Sequence, residues 1–276
     1  METRYPHLDP GARRLLQGPD EARIRYIQRD RFIDHGATEA VVAVLQDFVD
    51  RPPSVRPPCL ALVGDAGNGK TTLLREFVRR TERTAQRADR QVAAYFVLSP
   101  LPTVHEMQAL LLGALEALPA GSLNGSLRTG DDLRRALLER ETRVVLIDEI
   151  QHLLNIPRRQ RSALWDWFKW ISTACRLSVA CAGIPGSEEV VQSERQLQTR
   201  FTIVRLPRWS PGPAFGQFLA AFERSLPLKR PSGLGQPAMQ SAFLDESRVM
   251  QQISGTTHGV KRVIRICIYQ SDSLWR

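Results

Sequence analysis

Gly64, Asp65, Ala66, Gly67, Asn68, Gly69, Lys70, Thr71 and Thr72 follow directly on the apolar run Cys59–Val63. The spacing G-x-x-x-x-G-K-T after such a run suits one task, a cradle of backbone N–H groups around the β- and γ-phosphates of a nucleotide. Gly64, Gly67 and Gly69 permit the tight turn. Residues 71–79 read as a helix, whose N-terminal partial positive charge adds to the anion site. Lys70 is placed to reach the terminal phosphates, and the Thr71 hydroxyl to ligate Mg²⁺.

A second cluster says what happens to the nucleotide. Val144, Val145, Leu146 and Ile147 lead into Asp148 and Glu149. Four apolar residues fit a strand buried on both faces, as in parallel sheets. Asp148 at its end would hold Mg²⁺ through water, and Glu149 would polarise an attacking water as general base. Adjacent acids favour water as the phosphate acceptor, which argues against a small-molecule kinase.

Composition sets the surroundings. The chain has 276 residues, 42% of them hydrophobic, enough for one α/β domain and a smaller appendage. No run of 18 apolar residues exists to span a membrane. The first residues lack the apolar core of a signal peptide, which argues against secretion, so a cytoplasmic protein is expected. Cys59, Cys175, Cys181 and Cys267 are scattered without C-x-x-C spacing, as buried free thiols would be. Formal net charge is +9, nearly all from arginine, since Lys70, Lys169, Lys229 and Lys261 are the only lysines. A surplus of this size points to a polyanion partner, most simply nucleic acid.

The elements that must hold these residues read as follows. Residues 6–50 look helical, with Ile24, Ile27, Val41, Val44, Leu45 and Phe48 at helical spacing. Residues 51–58 form a proline-rich linker. Strands are expected at 59–63, 92–98, 144–148, 177–182 and 202–206, and helices at 104–118, 131–141 and 157–175. Leu164, Phe168, Ile171 and Cys175 lie on one face of the last. Trp170 lies off that stripe and is a candidate partner surface. Strands alternating with helices predict an α/β fold, a five-stranded parallel sheet flanked by helices. After Pro207 the pattern becomes helical. The domain organisation read from the sequence is an N-terminal helical segment 1–50, the linker 51–58, the ATPase core 59–208 and a small C-terminal helical lid 209–276.

With both motifs in this order and a helical appendage, the chain resembles an AAA+ P-loop ATPase. More narrowly it is similar to the TniB family of transposition proteins, related to the TnsC and MuB target-selection ATPases. The narrower match lies in residues 51–59, GDAGNGKTT, VVLIDEIQHLL, Leu206-Pro-Arg-Trp209 and residues 226–234. The resemblance implies ATP binding, oligomerisation into a ring or filament on duplex DNA, and presentation of that target to a DDE transposase. It implies a strand order of 5-1-4-3-2 and ATP sandwiched between protomers, with a neighbour's arginine completing the site. Arg200 matches that position, with Arg195 in reserve. It also implies a lid cation near the γ-phosphate, Lys261 or Arg262. The fourth strand departs from the family pattern: Ala180-Cys-Ala-Gly-Ile184 offers no Asn, Thr or Ser at its end. Turnover is accordingly expected to be slow and regulatory. Residues 79–90, 99–103 and 158–161 are the candidates for facing DNA phosphates. The competing readings are a helicase- or clamp-loader-like ATPase and an ATP-dependent scaffold that does not touch DNA.

Overall fold

The computed structural model describes residues 5–27, 29, 32–85, 89–116, 130–241, 243 and 244. The chain divides into two compact units: Gly36–Pro207, and the described parts of Met1–His35 and Arg208–Arg276. Helix α3 (Gly36–Asp50) groups with the first unit, while α1 (Pro10–Leu15) and α2 (Asp20–Ile27) group with the second. The helical stretch expected over 6–50 is thus three helices. Pro19 interrupts it once, since proline removes a backbone donor, and residues 32–35 are not helical.

The larger unit is a five-stranded sheet. Its strands are β1 (Cys59–Val63), β2 (Ala93–Val97), β3 (Val144–Asp148), β4 (Ser178–Gly183) and β5 (Phe201–Arg205). They pair in parallel in the order β2-β3-β4-β1-β5, the order that the resemblance implies. Burial follows position. β1, β3 and β4 lie inside the sheet and are buried along their whole length, while the edge strands β2 and β5 are partly exposed. That is why the inner strands are written as continuous apolar runs and not as alternating ones.

Both faces are covered. On one, Ala61, Phe96, Val145, Ile147, Val179 and Cys181 meet α5 (Val104–Glu116), α6 (Gly130–Glu139) and α7 (Arg158–Thr173) in the main core. Met107, Leu111 and Leu115 of α5 are fully buried there, as is Ile171 of α7. Each such side chain contributes roughly 1.5–3 kcal/mol relative to exposure. The expected α7 stripe is all buried, and Trp165 and Trp167 are buried with it. Trp170 packs partly buried against the same core, and a Cβ on Gly130 would stand 3.4 Å from its ring. Its ring is therefore used inside the protein. Successive strand residues point to opposite faces, and the other face is met by α3 and by α4 (Lys70–Thr84).

Three short elements complete the unit: a 3₁₀ turn at Ile150–Asn155, α8 (Glu189–Gln192) and α9 (Arg195–Gln198). The smaller unit is built around α10 (Pro213–Arg224), whose Phe215, Leu219 and Phe222 pack with Ile27, Leu226, Leu228 and Leu234. Arg23 is buried in it, donating to Pro227 O at 3.1 and 2.9 Å and to Asp20 at 2.7 Å.

Candidate nucleotide site at the C-terminal ends of the strands

In a parallel sheet all strand C-termini lie along one edge, and there β1 runs into the glycine-rich loop. Gly67 and Gly69 take φ of 81° and 80°, a region that side chains with a Cβ rarely adopt. Gly64 is needed for space, since a Cβ there would stand 3.1 Å from Leu206 Cβ. Its N–H donates to Gly183 O at 3.1 Å, tying the loop to the tip of β4. Asn68 Nδ2 donates to Pro207 O at 3.0 Å and pins the loop's far side. Gly69 is the N-cap of α4, and no side chain caps that end. The first N–H groups of a 15-residue helix are thus left pointing at the loop, an arrangement suited to an anion.

Lys70 is buried, and its Nζ donates to Gly64 O at 2.7 Å and Asp65 O at 2.9 Å. Burial lowers its pKa, against the opposing pull of Asp148, Glu149 and Asp65. Three carboxylates thus bear on one ammonium. Thr71 Oγ1 donates to Asp148 Oδ2 at 2.6 Å. A hydroxyl and a carboxylate oxygen meeting at one point are hard oxygen donors of the kind Mg²⁺ takes, so the residues present fit that ion. Ala66 and Gly67 are exposed at the loop tip, and Thr72 is half-buried in the first turn of α4.

Asp148 closes β3 and is buried. Its Oδ1 accepts from Glu149 N at 3.0 Å and its Oδ2 from Tyr95 OH at 3.1 Å. Tyr95 on β2 was not foreseen. Burial and the Asp148 charge push its pKa up to about 12, with Arg75 pulling the other way from 5.5 Å above the ring. A phenol tip inside an otherwise apolar strand was the available signal, because a buried hydroxyl needs a partner. Glu149 sits at φ 60°, ψ 38°, where the chain turns out of β3 into the 3₁₀ turn. Gln151 Nε2 donates to its carboxylate. His152 Nδ1 bonds Leu98 O at 3.0 Å and Asn155 Nδ2 donates to Pro100 O at 3.3 Å, so the 3₁₀ turn also braces the loop after β2.

The arginine candidates lie elsewhere. Arg200 O accepts from Cys59 N at 3.0 Å, which places Arg200 at the opposite edge, about 13 Å of strand away from the loop. Its guanidinium donates to Ser172 Oγ at 2.8 Å and Thr173 Oγ1 at 2.9 Å. Arg195 is exposed on α9. Neither reaches the loop of its own chain. Arg161, expected to answer an external anion, instead donates to Ile156 O at 2.7 Å and Leu154 O at 2.6 Å. Those carbonyls end the 3₁₀ turn and need donors. Arg79 and Arg80 are held by Glu76, and Arg90 by Glu141. Arg83 and Arg159 are exposed. Lys261, Arg262, Cys267 and Arg87 lie outside the described residues. Cys59, Cys175 and Cys181 are free and buried. Among the described residues no helix is long and apolar enough to cross a membrane.

A parallel sheet in this order, with the loop after β1 and the acids after β3, defines a P-loop protein with the fold of the AAA+ ATPases. The family model for the Bacterial TniB protein matches residues 23–211, more than half of the chain, and the protein belongs to that family. Among curated proteins no sequence matches this chain. Three solved structures illustrate the fold. The ORC2 protein of Aeropyrum pernix (ADPNP-ADP complexes) is similar at a TM-score of 0.55 and 15% identity, over 87% of this chain and 71% of that one. A Walker-type ATPase of Pyrococcus abyssi is similar at 0.51 and 17%, over 83% and 71%. The Aeropyrum pernix ORC1 protein in complex with DNA is similar at 0.50 and 17%, over 71% of this chain and 52% of that one.

Proposed function

We propose that this protein is an ATP-dependent, DNA-binding regulator of transposition, which oligomerises on target duplex DNA and recruits or activates a DDE transposase. The observation that carries the reading is the convergence of Lys70, Thr71, Asp148 and Glu149 at one sheet edge. Family membership supplies the transposition context. The net charge of +9 favours a polyanion, and the ORC1 protein of similar fold is in complex with DNA.

In this reading the backbone N–H groups of residues 64–72 hold the phosphates of ATP, and Lys70 exchanges its two loop carbonyls for phosphate oxygens. Thr71, and Asp148 through water, would hold Mg²⁺, which would supply positive charge to the phosphates. Glu149 accepts the proton of the attacking water as the bond to the γ-phosphorus forms and ADP leaves. The position of Arg200 at the far edge suits a role in trans, reaching the site of a neighbouring protomer, with Arg195 as the second candidate. Lys261 or Arg262 would report the γ-phosphate to the lid. ATP closes the interface between protomers, DNA binds the assembly, and hydrolysis releases it.

Contacts to phosphates position without specifying sequence, so affinity should fall with salt at a log–log slope of roughly −0.9 per phosphate engaged. The test is residence time on random-sequence duplex. Glu149→Gln, able to bind ATP and unable to accept the proton, should prolong it, and the DNA-bound protein should retain the transposase. An unchanged lifetime with a flat salt response contradicts the reading.

A further inference from the structure

The tip of β4 is closed to side chains. A Cβ on Gly183 would lie 2.4 Å from Ser187 Oγ and 2.7 Å from Ile150 Cγ2, and the flanking Ala182 and Ile184 carry no polar group. The backbone of the tip is bonded to Gly64 N and Ser187 N, and a side-chain contact to it comes from Gln151, in the adjoining 3₁₀ turn. Its Oε1 accepts from Ile184 N at 3.4 Å. A backbone N–H pairs only with the oxygen of an amide, so this contact fixes which way the amide faces. Nε2 is thereby turned toward Glu149 and donates to its Oε2. Glu149 itself takes a left-handed backbone, φ 60° and ψ 38°. Such a conformation costs a non-glycine residue on the order of 1–3 kcal/mol, and it is kept where the surroundings demand it.

We infer that Gln151 is the positioning residue for Glu149: one amide ties that carboxylate to the tip of β4 and supplies, from the turn after β3, a side-chain contact to that tip. The inference rests on the reading of the site as hydrolytic. Glu149 sits at the start of a turn and has torsions of its own. The Lys70 charge attracts its carboxylate from a distance, while the Gln151 amide gives it a directed hydrogen bond. A displacement of the order of 1 Å at such a group costs up to about a hundredfold in rate. The same amide makes the β4 tip and the carboxylate move together, since displacing Ile184 N releases the oxygen that orients the donor.

Two substitutions separate the two ends of the amide. Gln151→Ala removes both contacts. Gln151→Glu keeps an acceptor for Ile184 N and loses the donor to Glu149. Both should lower kcat by roughly ten- to a hundredfold, while KM for ATP and the Kd of a non-hydrolysable analogue stay within about twofold. Deuterium exchange at the Ile184 amide should quicken in Gln151→Ala and stay near wild type in Gln151→Glu. Wild-type kcat in either variant, or a matching loss of analogue affinity, overturns the inference and leaves hydrolysis at Glu149 standing. If the wild-type protein does not hydrolyse ATP, or Glu149→Gln hydrolyses it equally well, the hydrolytic reading falls and this inference falls with it.

Discussion

The two edges of the sheet are built from the same five strands and do opposite things with charge. At the C-terminal edge the backbone supplies the donors. Glycine-turned N–H groups and an uncapped helix end face outward, while Lys70, Thr71, Tyr95 and Glu149 N are gathered around two loop carbonyls and Asp148. At the N-terminal edge side chains supply the donors, and the protein already occupies many of them: Arg200 with Ser172 and Thr173, Arg90 with Glu141. One edge is ready for an anion as it stands. The other releases an arginine only if a partner offers more than the present contacts do.

That contrast is open to breakage, most sharply through Arg200. If it acts in trans, Arg200→Ala should lower assembly-dependent ATP turnover about a thousandfold, with analogue affinity unchanged. Mixing it with Lys70→Ala should restore part of the rate, because one mixed interface has both an intact loop and an intact arginine. Absence of rescue would place Arg200 among structural residues and pass the role to Arg195. At the opposite edge, Asp148→Asn leaves Thr71 and Tyr95 a weaker acceptor and should lower turnover by about a hundredfold. A smaller loss than that from Arg200→Ala preserves the comparison, and no loss at all would break it.

Two stability measurements sharpen it further. Gly183→Ala forces a Cβ against Ser187 and Ile150 and should cost about 2 kcal/mol, read from the denaturant midpoint. Tolerance of the change would mean that Ser187 and Ile150 yield to a methyl group at the β4 tip. Glu76→Gln removes the buried acceptor of Arg79 and Arg80 on α4 and should cost about 1 kcal/mol at pH 7. Burial pushes the Glu76 pKa up, but the bonds from Arg79 and Arg80 outweigh it and leave it below 4.5. Its stabilisation is therefore present above that value and is lost as the pH falls through the lower folded pKa. The difference between wild type and variant should vanish in acid. A gap that persists there would assign the effect to packing.

These particular residues also show what could be read in advance. Gly64–Thr72, Asp148 and Glu149 were legible because each motif is contiguous, with the strand, the turn and the chemistry adjacent in the chain. The five strands were legible because burial on both faces writes an unbroken apolar run. Tyr95 and Gln151 were not, since their partners are Asp148 across a strand pair and Ile184 at the tip of another strand. Arg161 was misread because a cation at the start of α7 looks exposed until the carbonyls of Leu154 and Ile156 fold back beneath it. The short α8 and α9 carry too few residues for a periodicity to register.

The most direct test of the central claim is retention of random-sequence duplex DNA with and without a non-hydrolysable ATP analogue, for wild type and Lys70→Ala. A nucleotide-gated DNA platform predicts retention by the wild type only when the analogue is present, and none by the variant. Analogue binding without DNA retention in the wild type would contradict it, and would leave an ATP-dependent scaffold in its place.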